Sequence, residues 1–268
     1  MSTGVLQPVS KDYRVERGRL LPVGRVRDRY NPLTDKRAEQ LATEFAKLHD
    51  GDADGLRRFA RGWGLLGWAV IEVRDKAEEG EPTNWIWGHA KNARTILEIK
   101  EYLSREDHSG LADFLSSLAV SLQEGQSGPS VRAIVPYDAQ PIPMTEGDAE
   151  QLGKAVIAGI LNPNLWRTRE GLRTYMDPTS LELHRDCIHL LAAVYWQLAK
   201  IVAERQVARC GMCDSIFVVT DQRQKYCPPA RGKSESICAA RARKQGKSDV
   251  SSAVAEVTED GTIDEREL

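Results

Sequence analysis

Along residues 1 to 30, single arginines alternate with small and apolar residues, as in RVERGRLLPVGRVRDRY, and no helical period is sustained. This stretch is expected to be a basic arm, mobile or strand-like. The pattern changes at NPLTDKRAEQLATEFAKLHD, where Leu41, Phe45 and Leu48 recur at helical spacing behind a Thr34/Asp35 cap signal. Leu56 and Phe59 continue it, so two short helices are predicted, ending at Gly62, Gly64 and Gly67. From Asn84 to Gln123 the pattern is again helical. Trp87, Ile96, Leu97, Ile99 and Leu103 predict one long amphipathic helix, Leu111, Phe114, Leu115, Leu118 and Leu122 a second, and His108-Ser109-Gly110 the break between them.

The β-branched residues and prolines of VRAIVPYDAQPIPM predict an edge strand and loop, after which TEGDAEQLGKAVIAGIL returns to a helix. GLRTYMD is a short strand candidate, and Pro178-Thr179-Ser180 signals a helix start. A long stem helix is expected from about Leu181, with Leu183, Cys187, Leu190, Leu191, Val194, Leu198, Ile201 and Val202 as its apolar stripe, running directly into Cys210. From Ser248 the chain is small, polar and acidic, as in a disordered tail.

The expected architecture is therefore α+β. A basic arm occupies residues 1–30 and a predominantly α-helical domain, ending in the stem helix, residues 31–203. A small four-cysteine module follows at 204–247, then an acidic tail at 248–268. No apolar run reaches the ~18 residues of a membrane span, and the N-terminus lacks the apolar stretch of a secretory signal, so a cytoplasmic protein is expected.

Charge sharpens this division. The net charge of −2 conceals two opposed segments. Residues 204–247 carry ten Lys and Arg against four acidic residues, whereas the last twenty residues carry seven acidic residues against Arg266 alone. The tail lies close enough in sequence to compete with nucleic acid for the basic segment, or it serves simply as a solubilising extension.

Four of the five cysteines fall in RCGMCDSIFVVTDQRQKYCPPARGKSESICAARARKQ, at the spacing C-x2-C-x13-C-x10-C. In a reducing compartment such a cluster implies metal ligation before disulfides, and Cys210, Cys213, Cys227 and Cys238 are the candidate ligands of a structural Zn2+. An iron–sulfur cluster is the lesser rival. Gly211 is expected to relax the turn between the first pair. SIFVVTDQRQKYC predicts a hairpin delivering Cys227, and Ser234-Glu235-Ser236 a cap for a helix starting near Cys238. A module of about 35 residues with so little apolar content needs a metal or another staple to fold.

Cys210, Cys213, Phe217, the step Lys225-Tyr226-Cys227, and Cys238-Ala239-Ala240-Arg241 leading into Arg243 and Lys244 resemble the CGNR-type, treble-clef-like zinc fingers of bacterial proteins. Ala-Ala stands where that family has Gly-Asn, and the loop between the last two cysteines is longer than usual. The resemblance extends over residues 183–245 at most. YNPLTD and FARGWGLLG are similar to phrases of uncharacterised bacterial proteins with such a finger. It implies Zn2+ and nucleic-acid binding with a role in transcription regulation, DNA being expected ahead of RNA. Arg223, Lys225, Arg241, Arg243, Lys244 and Lys247 are the candidate nucleic-acid contacts, with Tyr226 either stacking on a base or packing beside the metal core. A zinc-scaffolded protein-interaction module, with a protein partner or a second copy of the chain, is the alternative.

An enzyme with an unrecognised site in the N-terminal domain is the third reading. No G-x-S-x-G elbow or G-x-x-x-x-G-K-[ST] loop occurs, no glycine fingerprint of a dinucleotide fold is assigned, and no catalytic residue is nominated. Trp63, Trp68, Trp85, Trp87 and His89 are expected to pack a core rather than line a ligand site, and Cys187 to act as a small buried hydrophobe.

Overall fold

Rather than a mobile arm, the N-terminal segment is an antiparallel β-hairpin of β1 (Gln7–Glu16) and β2 (Arg19–Tyr30). The computed structural model describes residues 7–33, 38–67, 80–123, 146–168, 172–176, 183–187, 189–229 and 235–245. Arg17 and Gly18, at φ 50° and 72°, make the two-residue turn, whose left-handed backbone matches the twist of the paired strands. Val9, Tyr13 and Leu20 are buried, and the Tyr30 hydroxyl donates to the Trp63 carbonyl at 2.7 Å. Arg14, Arg17, Arg25 and Arg27 are exposed, outside this apolar face, which is why the segment reads as basic yet belongs to the core.

Two short helices follow as predicted, α1 (Ala38–Ala46) and α2 (Ala53–Trp63); the Thr34/Asp35 signal lies outside the described residues. Asp52 caps α2 by accepting from Gly55 N at 2.7 Å, and Gly64, at φ 89°, ends it. Strand β3 (Glu81–Pro82) pairs with β2 and leads into α3 (Thr83–Arg105) and α4 (His108–Gln123). The break between them is Glu106-Asp107 and not His108-Ser109-Gly110. Glu106 takes φ 57°, and the Asp107 carboxylate accepts from Gly110 N at 2.9 Å, so the HSG triplet opens α4 instead of interrupting it.

The strand and loop expected at 131–144 lie outside the described residues. Helix α5 (Glu146–Thr168) runs past the predicted end and through Pro163, knitted by Asn164 Nδ2 to the Ile160 carbonyl and Thr168 Oγ1 to the Asn164 carbonyl, both at 2.7 Å.

The stem helix is shorter than expected. Leu183 and Cys187 belong not to its stripe but to strand β5 (Leu183–Cys187), paired with β4 (Leu172–Met176). The Pro178-Thr179-Ser180 signal lies outside the described residues. Helix α6 (Leu190–Glu204) begins only after His189, whose Nδ1 accepts from Ala192 N at 3.2 Å. Accepting that bond requires a neutral ring, and burial lowers the His189 pKa to about 4.

Helices α1, α3 and α6 pack on one another, and α5 packs on α3, α4 and α6, around Leu41, Phe45, Ile96, Leu97, Val194 and Leu198. The predicted aromatic packing holds for Trp63 and His89, whereas Trp85 and Trp87 are only partly buried. Trp63 is fully buried, and His89 is enclosed between the Trp85 ring and the Tyr195 hydroxyl, 2.7 Å from its Nδ1. Trp68 lies outside the described residues. The loop after α2 is held from both sides: the Glu81 carboxylate accepts from Leu66 N and Gly67 N, and the Leu66 carbonyl accepts from Leu191 N at 3.1 Å. A Cβ on Gly67, at φ 98°, would lie 2.4 Å from that of His189.

The chain divides into two compact units, Met1–Val207 and Ala208–Leu268. It is α+β, helical with small antiparallel sheets, and carries a cysteine cluster near the C-terminus. Among the described residues no helix is long and apolar enough to cross a membrane.

Candidate metal centre

The first cysteine pair sits in the bend of a small hairpin, β6 (Val207–Arg209) with β7 (Ile216–Val218). The expected hairpin within SIFVVTDQRQKYC is therefore replaced: its first strand pairs backwards across the cysteine turn instead of forwards to Tyr226. Cys210 N donates to the Ser215 carbonyl and Asp214 N to the Cys210 carbonyl, both at 3.0 Å. The left-handed residue of this turn is Asp214, at φ 58°, so Gly211 is not the residue that relaxes it. Arg209 braces the turn by donating to the Asp214 carboxylate at 3.2 Å.

After β7, Asp221 folds the chain back, its carboxylate accepting from Arg223 N at 2.9 Å and its carbonyl from Gln224 N at 2.9 Å. Gly211 N then donates to the Lys225 carbonyl at 3.1 Å, which lays the Tyr226-Cys227 step against the first pair. The fourth cysteine comes from helix α7, residues 237–245. Ser236 is its N-cap as expected, Oγ accepting from Ala239 N at 2.9 Å, and Cys238 stands in its first turn.

The four sulfur atoms lie within 4.8 Å of one another, and Cys213 and Cys227 are 3.5 Å apart. A disulfide needs about 2.05 Å. Four thiolates at about 2.3 Å from one tetrahedral ion stand about 3.8 Å apart, which is the separation class found here. The four-cysteine group could hold a metal ion.

The surroundings favour thiolate on one side of the group. Burial works against ionisation of Cys210, but amides of Met212, Cys213 and Cys227 directed at its sulfur outweigh it and lower its pKa. At Cys213, burial is likewise overcome, chiefly by the Ser215 hydroxyl and amide, and its pKa falls to about 6. Burial, with hydrogen bonds to the Cys213 and Cys210 thiols, pushes Cys238 up to about 11. Without an ion the group thus keeps a proton on Cys238 while easing it off Cys213, as expected when like charges share one site.

The candidate nucleic-acid contacts are distributed unequally. Arg241 and Lys244 are exposed on α7 and have no ion-pair partner among the described residues. Arg243 is bound to Glu235, and Arg223, 92 % exposed, pairs among the described residues only with Asp221, at 3.6 Å. Lys225 is exposed, and Lys247 lies outside the described residues. The Tyr226 ring stands beside Gly211 and is partly buried.

One glycine pattern in the sequence takes its meaning only from the fold. Gly62, Gly64 and Gly67 stand at G-x-G-x-x-G spacing, but they close a helix instead of joining a strand to a helix N-terminus, so they do not form a phosphate cradle. Comparison with protein-family models, curated proteins and solved structures finds no match to this chain.

Proposed function

We propose that the cysteine unit binds one Zn2+ through Cys210, Cys213, Cys227 and Cys238 and thereby presents α7 to the phosphate backbone of a nucleic acid, DNA ahead of RNA, in a regulatory role. The observation that carries this reading is the position of the fourth sulfur. Cys238 lies in the first turn of α7, so an ion held there would tie the helix to the turn bearing the first cysteine pair. Arg241 and Lys244, three residues apart and therefore on one helix face, would then stand at a fixed distance from a rigid centre. Zinc is favoured over iron because four thiolates in a small domain with almost no core are the usual closed structural site. When bound, the ion supplies folding energy and orientation only.

Purified full-length protein is expected to carry one zinc per chain by elemental analysis and to bind a mixed-sequence duplex DNA in fluorescence anisotropy, more weakly as salt rises. Arg241→Glu with Lys244→Glu should lower the slope of log affinity against log salt by about 2, near 0.9 for each phosphate that is no longer neutralised. Zinc-loaded protein without salt-dependent binding to DNA or RNA would end the nucleic-acid reading. The second reading, a protein-interaction module, is favoured by Ile237, which is 64 % exposed one turn before Arg241.

A further inference from the structure

We propose that a cleft in the helical unit, walled by α3, α5 and α6, binds a small amphipathic carboxylate whose head group is received by Lys100. The cleft has a volume of about 620 Å3, a size typical of small-molecule sites. Leu103 of α3, Ile157, Leu161 and Leu165 of α5, and Val202 of α6 give it apolar walls. All of its lining belongs to Met1–Val207, so it is separate from the cysteine cluster and does not rest on the nucleic-acid reading.

The charged groups around the cleft select the sign of the ligand. Lys154 and Glu150, one turn apart on α5, are bound to each other, and Glu106 is exposed at the end of α3. Lys100 differs from both. It is half-buried and, among the described residues, has no hydrogen bond or ion pair and no carboxylate near enough to offset the burial that lowers its ammonium pKa. His108, the first residue of α4, lines the same cleft, and its Nδ1 is shielded from solvent without a hydrogen-bond partner. A desolvated cation lacking a counter-ion and a shielded imidazole nitrogen lacking a partner are both costs that a bound carboxylic group would relieve. A hydrocarbon body on the ligand would take up the apolar walls.

Isothermal titration of the full-length protein with octanoate and with octan-1-ol tests this. Octanoate is expected to bind at least about tenfold more tightly than the alcohol, the scale of one charge-assisted contact. Lys100→Met, which keeps the length of the side chain but not its charge, should remove that preference, and Ala158→Trp, which fills the cleft, should abolish binding of both. Far-UV circular dichroism separates these outcomes from misfolding. Should Ala158→Trp fail to fold, the Ile157 and Leu161 methyl resonances of the unmodified protein should shift on adding octanoate. Absence of octanoate binding at millimolar concentration, equal affinity for acid and alcohol, a preference that survives Lys100→Met, or methyl shifts confined to other residues would each overturn the proposal.

Discussion

The helical unit and the cysteine unit solve the folding problem by different means. In residues up to Val207, buried side chains run through every helix contact: Phe45 and Leu41 of α1, Ile96 and Leu97 of α3, Val156 and Ile160 of α5, Val194 and Leu198 of α6. Beyond it, the buried residues among those described are Cys210, Phe217 and Ser236. At about 25 cal/mol per Å2 of apolar surface removed from water, one phenylalanine and one cysteine contribute a few kcal/mol, far short of the ordering entropy of a unit this long. The first unit is held by its core, and the second, with so little core, would depend on an ion shared by its four sulfurs.

Metal removal should therefore break the two units apart in behaviour, and it carries the largest expected effect. Structural zinc sites of this kind contribute on the order of 10 kcal/mol of binding energy that is also folding energy. Chelation, or Cys213→Ser, is expected to erase amide-exchange protection in residues 208–245 while protection in α3 and α6 persists. Hydrogen exchange read by mass spectrometry checks both halves at once. Retained protection in the cysteine unit after complete metal loss would mean that its few buried groups suffice.

The comparison sharpens with pH, because the helical unit contains a buried imidazole whose charge state is tied to the start of α6. His189 caps α6 through Nδ1, and burial lowers its pKa to about 4 from an ordinary value near 6.5. The unfolded chain therefore binds the proton first as pH falls. The stabilisation is fully present above pH 6.5 and is lost as pH falls through about 4, amounting to roughly 3 kcal/mol at 1.36 kcal/mol per unit. Urea unfolding of the helical unit between pH 7 and 4 should show this slope. His189→Asn, which keeps a capping acceptor that does not titrate, should flatten it.

How much of each unit could be read in advance follows the same division. The four-cysteine cluster was legible because thiolate chemistry fixes the residue type and a tight turn fixes the first spacing, whatever the rest of the chain does. The strands around them were not. Ile216–Val218 finds its partner in Val207–Arg209, on the far side of the cysteine turn, whereas the polar run Thr220–Gln224 imitates the turn of a forward hairpin. In the helical unit, periodicity located α1 to α4 because their apolar stripes are long. It failed at Leu183 and Cys187, which continue the spacing of Leu190 and Leu191 yet pair as a strand with Leu172–Met176, a partner outside any local window. His189 gave no cap signal because histidine is not among the usual N-cap residues. The basic arm was ambiguous for a related reason: the Arg17-Gly18 turn is a weak hairpin signal unless the burial of Val9, Tyr13 and Leu20 is known.

The smallest expected effect tests whether the helix and the sulfur cluster are one cooperative object. Ser236 is 6 % exposed, its hydroxyl accepts from Ala239 N, and its carbonyl accepts from Ala240 N, so it starts α7 two residues before the fourth sulfur. Loss of such a cap costs about 1 kcal/mol of helix stability. If Cys238 can ligate only from a formed first turn, that cost passes into metal affinity, and Ser236→Ala should weaken zinc binding about fivefold in a competition titration against a chromogenic chelator. Ser236→Asp, which restores an acceptor and places negative charge at the helix N-terminus, should recover the affinity. An affinity untouched by Ser236→Ala would mean that the fourth ligand reaches the ion without its helix, and that α7 is carried by the centre and not built into it.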